Sequence, residues 1–394
     1  VKKSFPLDNR TSGIRPLILL VDNSRAVTGA LNALRHATNP LRDQFDFAYV
    51  LPTASTGSAL LAADGYHVHE LPFVEISRRP LDLLRYFPML LLNGWRLKRL
   101  ARRKRAAVIH INDFYNLTGY VARWLSLGTI PVLTHVRFLP QVLPQLFARP
   151  WRWLAEHAAQ QVLCVSEAVR GYFTPAHACI RTVYDPLPAS GEKLPPHIVQ
   201  SKNGQPVRLL YLSNYIRGKG QDFALEAFHL AYTRNPNLRL HFVGGDMGMV
   251  KNQEFRNELV GTAKMKGLSE VVQFEGFTAN TEELIKAHDI VLNFSEAESF
   301  SLTCLDALYY GVPLIASACG GPAELFENEK SGLLVANRDV EAMAIAINRL
   351  AADGVLRAQF SQAGRQFVRQ KFAPSNTYEV LGGLYHSLIF NVVD

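Results

Sequence analysis

Residues 289–312 read DIVLNFSEAESFSLTCLDALYYGV, and the fold of the whole chain turns on how this stretch is understood. Asp289 to Phe294 is an apolar run of strand length. Ser295, Glu296, Glu298 and Ser299 then form a polar loop leaving that strand. From about Ser301 the pattern changes, with Leu302, Leu305, Ala307, Leu308 and Tyr309 recurring at helical spacing. Gly311 ends the helix and Pro313 forbids its continuation. The stretch therefore predicts a strand, a turn and a helix. The first N–H groups of such a helix have no internal partner and carry the positive end of its dipole, so phosphate is favoured there. One carboxylate flanks that point on each side: Glu298 in the loop, and Asp306 one to two turns inside the helix.

The spacing of the two carboxylates separates two chemistries. On a continuous helix they would lie roughly 12 Å apart along the axis, whereas an acid and nucleophile acting on one glycosidic bond need about 5 to 5.5 Å. They suit the two ends of one elongated ligand with phosphates between, an outline that a sugar nucleotide fits. In isolation the same pair would read as a surface cap and a solvated helix residue.

The pair is not isolated. Residues 296–335, EAESFSLTCLDALYYGVPLIASACGGPAELFENEKSGLLV, resemble the C-terminal signature of the retaining glycosyltransferases of family 4 (glycosyl transferases group 1), E-G-F-G-L-x-x-x-E-A followed by G-x-P-V-I-A, G-G-x-x-E and G-L-L-V. Glu298 falls on the first glutamate of that pattern. Asp306 falls on the second, where the family normally has Glu. The resemblance implies an α/β chain of the GT-B fold, two Rossmann-like domains with parallel sheets facing a central cleft, the donor nucleotide lying on the C-terminal one.

Composition fits such a chain. The 394 residues allow two domains, and 48% hydrophobic content supports globular cores. Cys164, Cys179, Cys304 and Cys319 show no C-x-x-C spacing, so reduced thiols and a cytoplasmic location are expected. The start, VKKSFPLDNRTSG, lacks an apolar core and reads as a disordered leader rather than a secretory signal. Residues 1–190 hold 23 Lys and Arg against 12 Asp and Glu, leaving 19 against 22 for the remainder, so the net charge of +8 belongs to the N-terminal half. Such a face suits an anionic membrane, an anionic polymer or nucleic acid.

Along the chain, Leu17 to Val21 predicts the opening strand of the first domain, with a helix beginning near Gly29. The resemblance implies a glycine here that brings its backbone to the donor phosphate; ordinary turn chemistry explains Gly29 equally. Strands follow at Phe47 to Leu51 and Val68 to Leu71. Leu81 to Arg105 is apolar first and then basic, RLKRLARRKR, too short an apolar run to span a bilayer and interrupted by Arg85, Pro88 and Asn93. It reads either as a peripheral contact with an anionic membrane or as a solvated helix covering a sheet.

Val108 to Ile111 and Pro131 to Thr134 predict strands that put His110 and His135 near their carboxyl ends, where open α/β sheets bind ligands. The resemblance sets His135 facing the donor sugar and makes His110 structural. Residues 1–185 then form the acceptor domain, 186–206 a Pro- and Gly-rich linker, 207–374 the nucleotide-sugar domain, and 375–394 a helix crossing back to the first domain. Strand Val207 to Leu212 leads into SNYIRGKG, where Ser213 and Asn214 replace the family's G-R while Lys219 and Gly220 keep its K-G. Lys219 is the basic group matched to the donor pyrophosphate, and Arg217 is the candidate for the missing second charge. GGPAEL places Glu324 at the start of a helix.

No D-x-D triplet occurs in the chain, so no metal cofactor is expected. The implied function is retaining transfer of a sugar from a nucleoside diphosphate to a glycan, lipid-linked or other hydroxyl acceptor, in cell-surface polysaccharide biosynthesis. In that scheme Lys219, Arg217 and the N–H groups near Phe300, Ser301 and Leu302 stabilise the departing diphosphate, Glu298 binds sugar hydroxyls, and Asp306 binds the ribose. A nucleotide-sugar epimerase or hydrolase, or a non-catalytic nucleotide-sugar binding protein, would use the same scaffold. Nucleic acid is not expected as a partner, because no stacking or base-reading motif accompanies the basic half.

Overall fold

A computed structural model describes residues 15–74, 80–142, 145–175, 177–187 and 205–390. The leader and most of the linker 186–206 lie outside the described residues. The first domain alternates β1 (Leu17–Asp22), α1 (Gly29–Thr38), β2 (Asp46–Pro52), α2 (Gly57–Ala63), β3 (His67–Leu71), α3 (Pro80–Lys104), β4 (Ala106–Asn112), α4 (Thr118–Leu125), β5 (Val132–Val136), α5 (Gln145–Ala158), β6 (Gln161–Cys164), α6 (Glu167–Arg170) and β7 (Ile180–Thr182). Its seven strands pair in the order β3-β2-β1-β4-β5-β6-β7, all parallel.

The second domain repeats the plan with β8 (Val207–Leu212), α7 (Gln221–Arg234), β9 (Leu238–Val243), α8 (Val250–Met265), β10 (Val272–Glu275), α9 (Thr281–Lys286), β11 (Ile290–Asn293), α10 (Leu302–Tyr310), β12 (Leu314–Ser317) and β13 (Leu333–Val335). Its six strands run β10-β9-β8-β11-β12-β13, again parallel. Helices α11 (Val340–Ala352), α12 (Gly354–Lys371) and α13 (Pro374–Phe390) close the chain.

Parallel strands covered by helices on both faces read as continuous apolar runs, and Ile18 to Val21 and Ile290 to Leu292 are buried along their whole length. Strand order reverses between β1 and β4 and again between β8 and β11. At such switch points the connecting loops diverge to opposite faces of the sheet and open a crevice at the carboxyl ends. The loop after β1 leads to Gly29, the loop after β8 carries Lys219, and the loop after β11 carries Glu298.

The two carboxyl edges face each other. Ser299 Oγ, after β11, donates to the Arg137 carbonyl, after β5, at 2.7 Å. Helix α13 returns to the first sheet, burying Leu381, Leu384 and Tyr385 among Ile18, Leu20, Phe45 and Val108. Tyr385 OH lies 2.6 Å from His110 Nδ1, and Phe45 meets the Tyr385 ring edge-on at 5.4 Å. His110 is thus a buried strut between a strand end and the last helix.

One local expectation is corrected. Glu324 ends a short 3-10 turn, Gly321–Glu324, rather than opening a helix. The preceding loop must pass directly over the Glu298 loop, since a Cβ on Gly321 would lie 2.2 Å from the Ser299 carbonyl oxygen. Helix α3 (Pro80–Lys104) continues through Pro88; the residues around that proline are not buried, so no packed core opposes the local loss of one backbone hydrogen bond.

Candidate active site

The β8–α7 loop is tied to the β11–α10 loop by contacts that leave its side chains little freedom. Tyr211 OH donates to the Lys219 carbonyl at 2.5 Å and accepts the Phe294 N–H at 2.8 Å, and the Glu296 N–H donates to the Gly218 carbonyl at 2.9 Å. Gly220 opens α7 with φ +77°, and a Cβ there would sit 2.0 Å from the Phe294 carbonyl oxygen. Only glycine permits that approach. The K-G pair is therefore a packing requirement beside a cation. As a result Lys219 Nζ donates to Glu298 Oε2 at 2.7 Å, with both side chains partly exposed, 31% and 16%.

Glu298 is fixed from its other side. Its N–H donates to the Cys319 carbonyl at 3.2 Å, and its own carbonyl accepts the Gly321 N–H at 2.8 Å. Gly320, at φ +127°, allows this bridge, because a Cβ would come within 2.6 Å of the Glu298 carbonyl oxygen. Ser301 then caps α10, its Oγ accepting the Cys304 N–H at 3.4 Å and the Asn293 amide at 3.1 Å. It holds φ +81°, an uncommon conformation for a residue with a side chain. The Leu302 and Thr303 N–H groups, next in the first turn, are left without an acceptor among the described residues. Phe300 is buried between Tyr184 and Phe372 and anchors the turn. Across the cleft, Gly29 lies against this helix end: a Cβ on it would meet Leu302 Cδ1 at 3.5 Å.

Lys219, Glu298, Ser301, Leu302 and Gly29 thus converge. Asp306 stands deeper along α10, half-buried, accepting no hydrogen bond from a described residue. Burial, with the Glu282 carboxylate nearby, pushes its carboxyl up to about 7. Glu282 itself is engaged by Lys286, which lies 5.1 Å over the Tyr310 ring.

Two candidates sit elsewhere. Arg217 pairs with Glu258 of α8 and stacks 4.8 Å over Phe255, so its guanidinium is engaged by α8 in an exposed pair. The imidazole of His135 is 2% exposed and stacks on His110 at 5.8 Å. Burial, together with the Arg137 charge, holds the His135 ring well below its usual range and His110 down at about 3, so both are neutral. The expectation that His135 faces the donor sugar is corrected in this structure: its ring is buried, stacked on His110 and held beside the Arg137 guanidinium.

Arg137 meets the second domain through its backbone carbonyl, which accepts from Ser299, while its side chain is buried. Its Nη1 pairs with buried Asp185, its Nε donates to Asn112 Oδ1 at 2.6 Å, and its Nη2 lies 3.2 Å from His135 Nδ1. Asn112 Nδ2 in turn donates to Asp22. This buried network ties β1, β4, β5 and the start of the interdomain connection together, and through the Arg137 carbonyl it touches Ser299. Glu324 makes a second bridge, its carboxylate accepting the Glu167 and Ala168 N–H groups at 2.9 and 2.7 Å and the Tyr184 hydroxyl at 3.0 Å. Among the described residues, no three His, Cys, Asp or Glu side chains converge as a metal site.

Two parallel-sheet Rossmann-like domains whose carboxyl edges face each other define the GT-B fold. Residues 197–367 match the family described as Glycosyl transferases group 1, and residues 49–184 match Glycosyltransferase Family 4. The chain belongs to family 4 of the GT-B glycosyltransferases.

Among solved structures, the Anabaena Alr3699/HepE protein in complex with UDP-glucose superposes with TM-score 0.79 at 22% identity, covering 94% of this chain and 99% of that one. An exopolysaccharide phosphotransferase of Streptomyces coelicolor is 33% identical over 150 residues, 38% of this chain and 15% of that protein. The D-inositol 3-phosphate glycosyltransferase of Saccharomonospora viridis is 31% identical over 173 residues, 42% of this chain and 39% of that one. The chain thus spans well under half the length of these two relatives.

Proposed function

We propose that this glycosyltransferase moves a sugar from a nucleoside diphosphate sugar to a hydroxyl of a glycan or lipid-linked acceptor, with retention at the anomeric carbon and without a metal, in the synthesis of a cell-surface polysaccharide. The observation that carries the reading is the Lys219–Glu298 pair at 2.7 Å beside the first turn of α10. A diphosphate at this helix end meets the Lys219 ammonium and the free Leu302 and Thr303 N–H groups together. The sugar attached to it then lies against Glu298, whose second oxygen accepts from its hydroxyls.

As the bond between the anomeric carbon and the phosphate oxygen lengthens, negative charge gathers on the diphosphate and positive charge on the sugar ring. Lys219 stabilises the first and Glu298 the second. Both are in place before the reaction, so little reorganisation accompanies the charge separation. At the other end the ribose hydroxyls reach Asp306, in its ionised form an acceptor with one methylene less reach than Glu. The absence of a hydrogen bond to Asp306 from the described residues supports that assignment, because a half-buried carboxylate gains most from such donors.

A thermal-unfolding screen with UDP-, GDP-, ADP- and TDP-sugars tests the donor, since only a ligand of the folded state raises the transition temperature. The expected result is stabilisation by one nucleotide class, followed by transfer to an added acceptor. The Anabaena complex makes UDP-glucose the first probe. Stabilisation by none of them would refute the reading. Release of free sugar with no acceptor product would instead assign a hydrolase.

A further inference from the structure

Helix α3 projects. Leu97 and Ala101 join the core of the first domain and Gly94 lies against Val121 of α4, yet no residue from Leu84 to Leu92 is buried. A helix of this length extends roughly 37 Å, so its N-terminal half overhangs the carboxyl end of the sheet, where the cleft opens. That half is apolar on its outer side: Leu84 is 72% exposed, Phe87 63%, Leu91 53% and Trp95 47%. Continued along the helix, the same side carries Lys98 and Arg102; all six positions fall within about 80° of arc. Trp95, Lys98, Arg99, Arg102 and Arg103 line an open groove of about 490 Å³, with the Arg99 guanidinium 5.5 Å over the Trp95 ring. No acidic residue occurs in 84–105, and these four cations make no ion pair with a described residue.

Isolated exposed apolar residues are ordinary, but a continuous apolar stripe running into an unneutralised basic one on a single helix face is not. We propose that the outer face of α3 docks on an anionic lipid bilayer, with Leu84, Phe87, Leu91 and Trp95 inserted among the acyl chains and Lys98, Arg99, Arg102 and Arg103 on the lipid phosphates. The charge decides the occupant. A second copy of this chain would bring basic face against basic face, whereas an anionic surface complements the whole length of the helix. Lysine and arginine stems lie along the apolar boundary while their heads reach the phosphates. No helix among the described residues is long and apolar enough to cross a membrane, so the contact is parallel to the surface. A bilayer under α3 reaches the edge of the cleft.

The test is co-sedimentation of the full chain with vesicles of phosphatidylglycerol and phosphatidylcholine, and with phosphatidylcholine alone, at low and high salt. It needs neither donor nor acceptor, so it stands or falls independently of the transfer reaction. The expected result is binding to the anionic vesicles that salt weakens. Arg99→Glu with Arg102→Glu should lower it by about tenfold or more, and Phe87→Ser with Leu91→Ser should lower it separately. The blue shift of tryptophan emission on binding should shrink in Trp95→Phe. All these side chains are solvent-facing, and unchanged thermal unfolding of each variant checks that the fold is intact. Absence of binding to anionic vesicles, or binding indifferent to both pairs of substitutions, would overturn the proposal. Loss with the charge variants alone would also overturn it, assigning the basic groove to a soluble anionic polymer.

Discussion

Replacing Lys219 with alanine separates chemistry from folding. In the folded chain its ammonium donates to Glu298 at 2.7 Å, with the two side chains 31% and 16% exposed. A pair so open to water contributes about 1 kcal/mol or less to stability, a shift of a few degrees at most in a chain of this size. On the proposed mechanism the same ammonium faces charge gathering on the diphosphate in the transition state. Removing one such preorganised donor typically lowers kcat by about 10²–10³, or about 2.7–4 kcal/mol.

Lys219→Ala should therefore unfold almost where the parent does and yet turn over at least a hundredfold more slowly. Arg217→Ala, whose guanidinium is engaged by Glu258 and Phe255, should lose much less. Initial-rate assays with the donor identified by the stabilisation screen, beside thermal unfolding of both variants, measure the contrast. Equal and small losses of rate in the two would refute the phosphate role of Lys219.

Other outcomes follow from the same geometry. Activity should survive EDTA if, as proposed, Lys219 and the α10 N-terminus supply the positive charge; loss restored by Mg²⁺ or Mn²⁺ would reveal a metal site. Arg137→Ala strands buried Asp185 without its partner and should destabilise the fold by about 3–5 kcal/mol, seen as a lower denaturant midpoint; a change below about 1 kcal/mol would contradict the network. Asp306, raised to about 7, binds its proton more tightly folded than unfolded, so its contribution to stability falls as pH rises from about 4 to about 7. Ribose hydroxyls donating to the carboxylate favour its ionised form, so affinity for a nucleotide sugar should rise with pH through about 7 and become flat in Asp306→Asn; an unchanged pH profile would remove Asp306 from the site.

The strands and the cleft were legible because parallel strands buried on both faces are apolar throughout, as in Ile18 to Val21, and because turn glycines punctuate them. Glu298 and Lys219 were legible for a related reason: each follows directly from a strand end, so local pattern fixes which loop it occupies. Arg137 was not. It sits in THVRF beside the histidine that drew notice, and its partner Asp185 lies 48 residues away; no local periodicity links an arginine to a distant aspartate. His135 is buried because His110 of the neighbouring strand stacks on it, a contact between strands that local periodicity does not show. Arg217 depended on α8, whose Glu258 and Phe255 are far away in sequence. The overhang of α3 was half legible: its charges stood out, while the exposure of Leu84 to Trp95 depends on how far the sheet extends beneath the helix.

The central claim, that Glu298 serves the sugar and Asp306 the nucleoside, is tested most directly by calorimetric titration of free nucleoside diphosphate into Glu298→Gln and Asp306→Ala. Glu298→Gln should bind the free nucleotide nearly as the parent does while its kcat collapses, since its charge-assisted hydrogen bonds strengthen only in the transition state. Asp306→Ala should weaken free-nucleotide binding by about 1.5–3 kcal/mol. Loss of nucleotide binding in Glu298→Gln, with Asp306→Ala binding normally, would contradict the assignment.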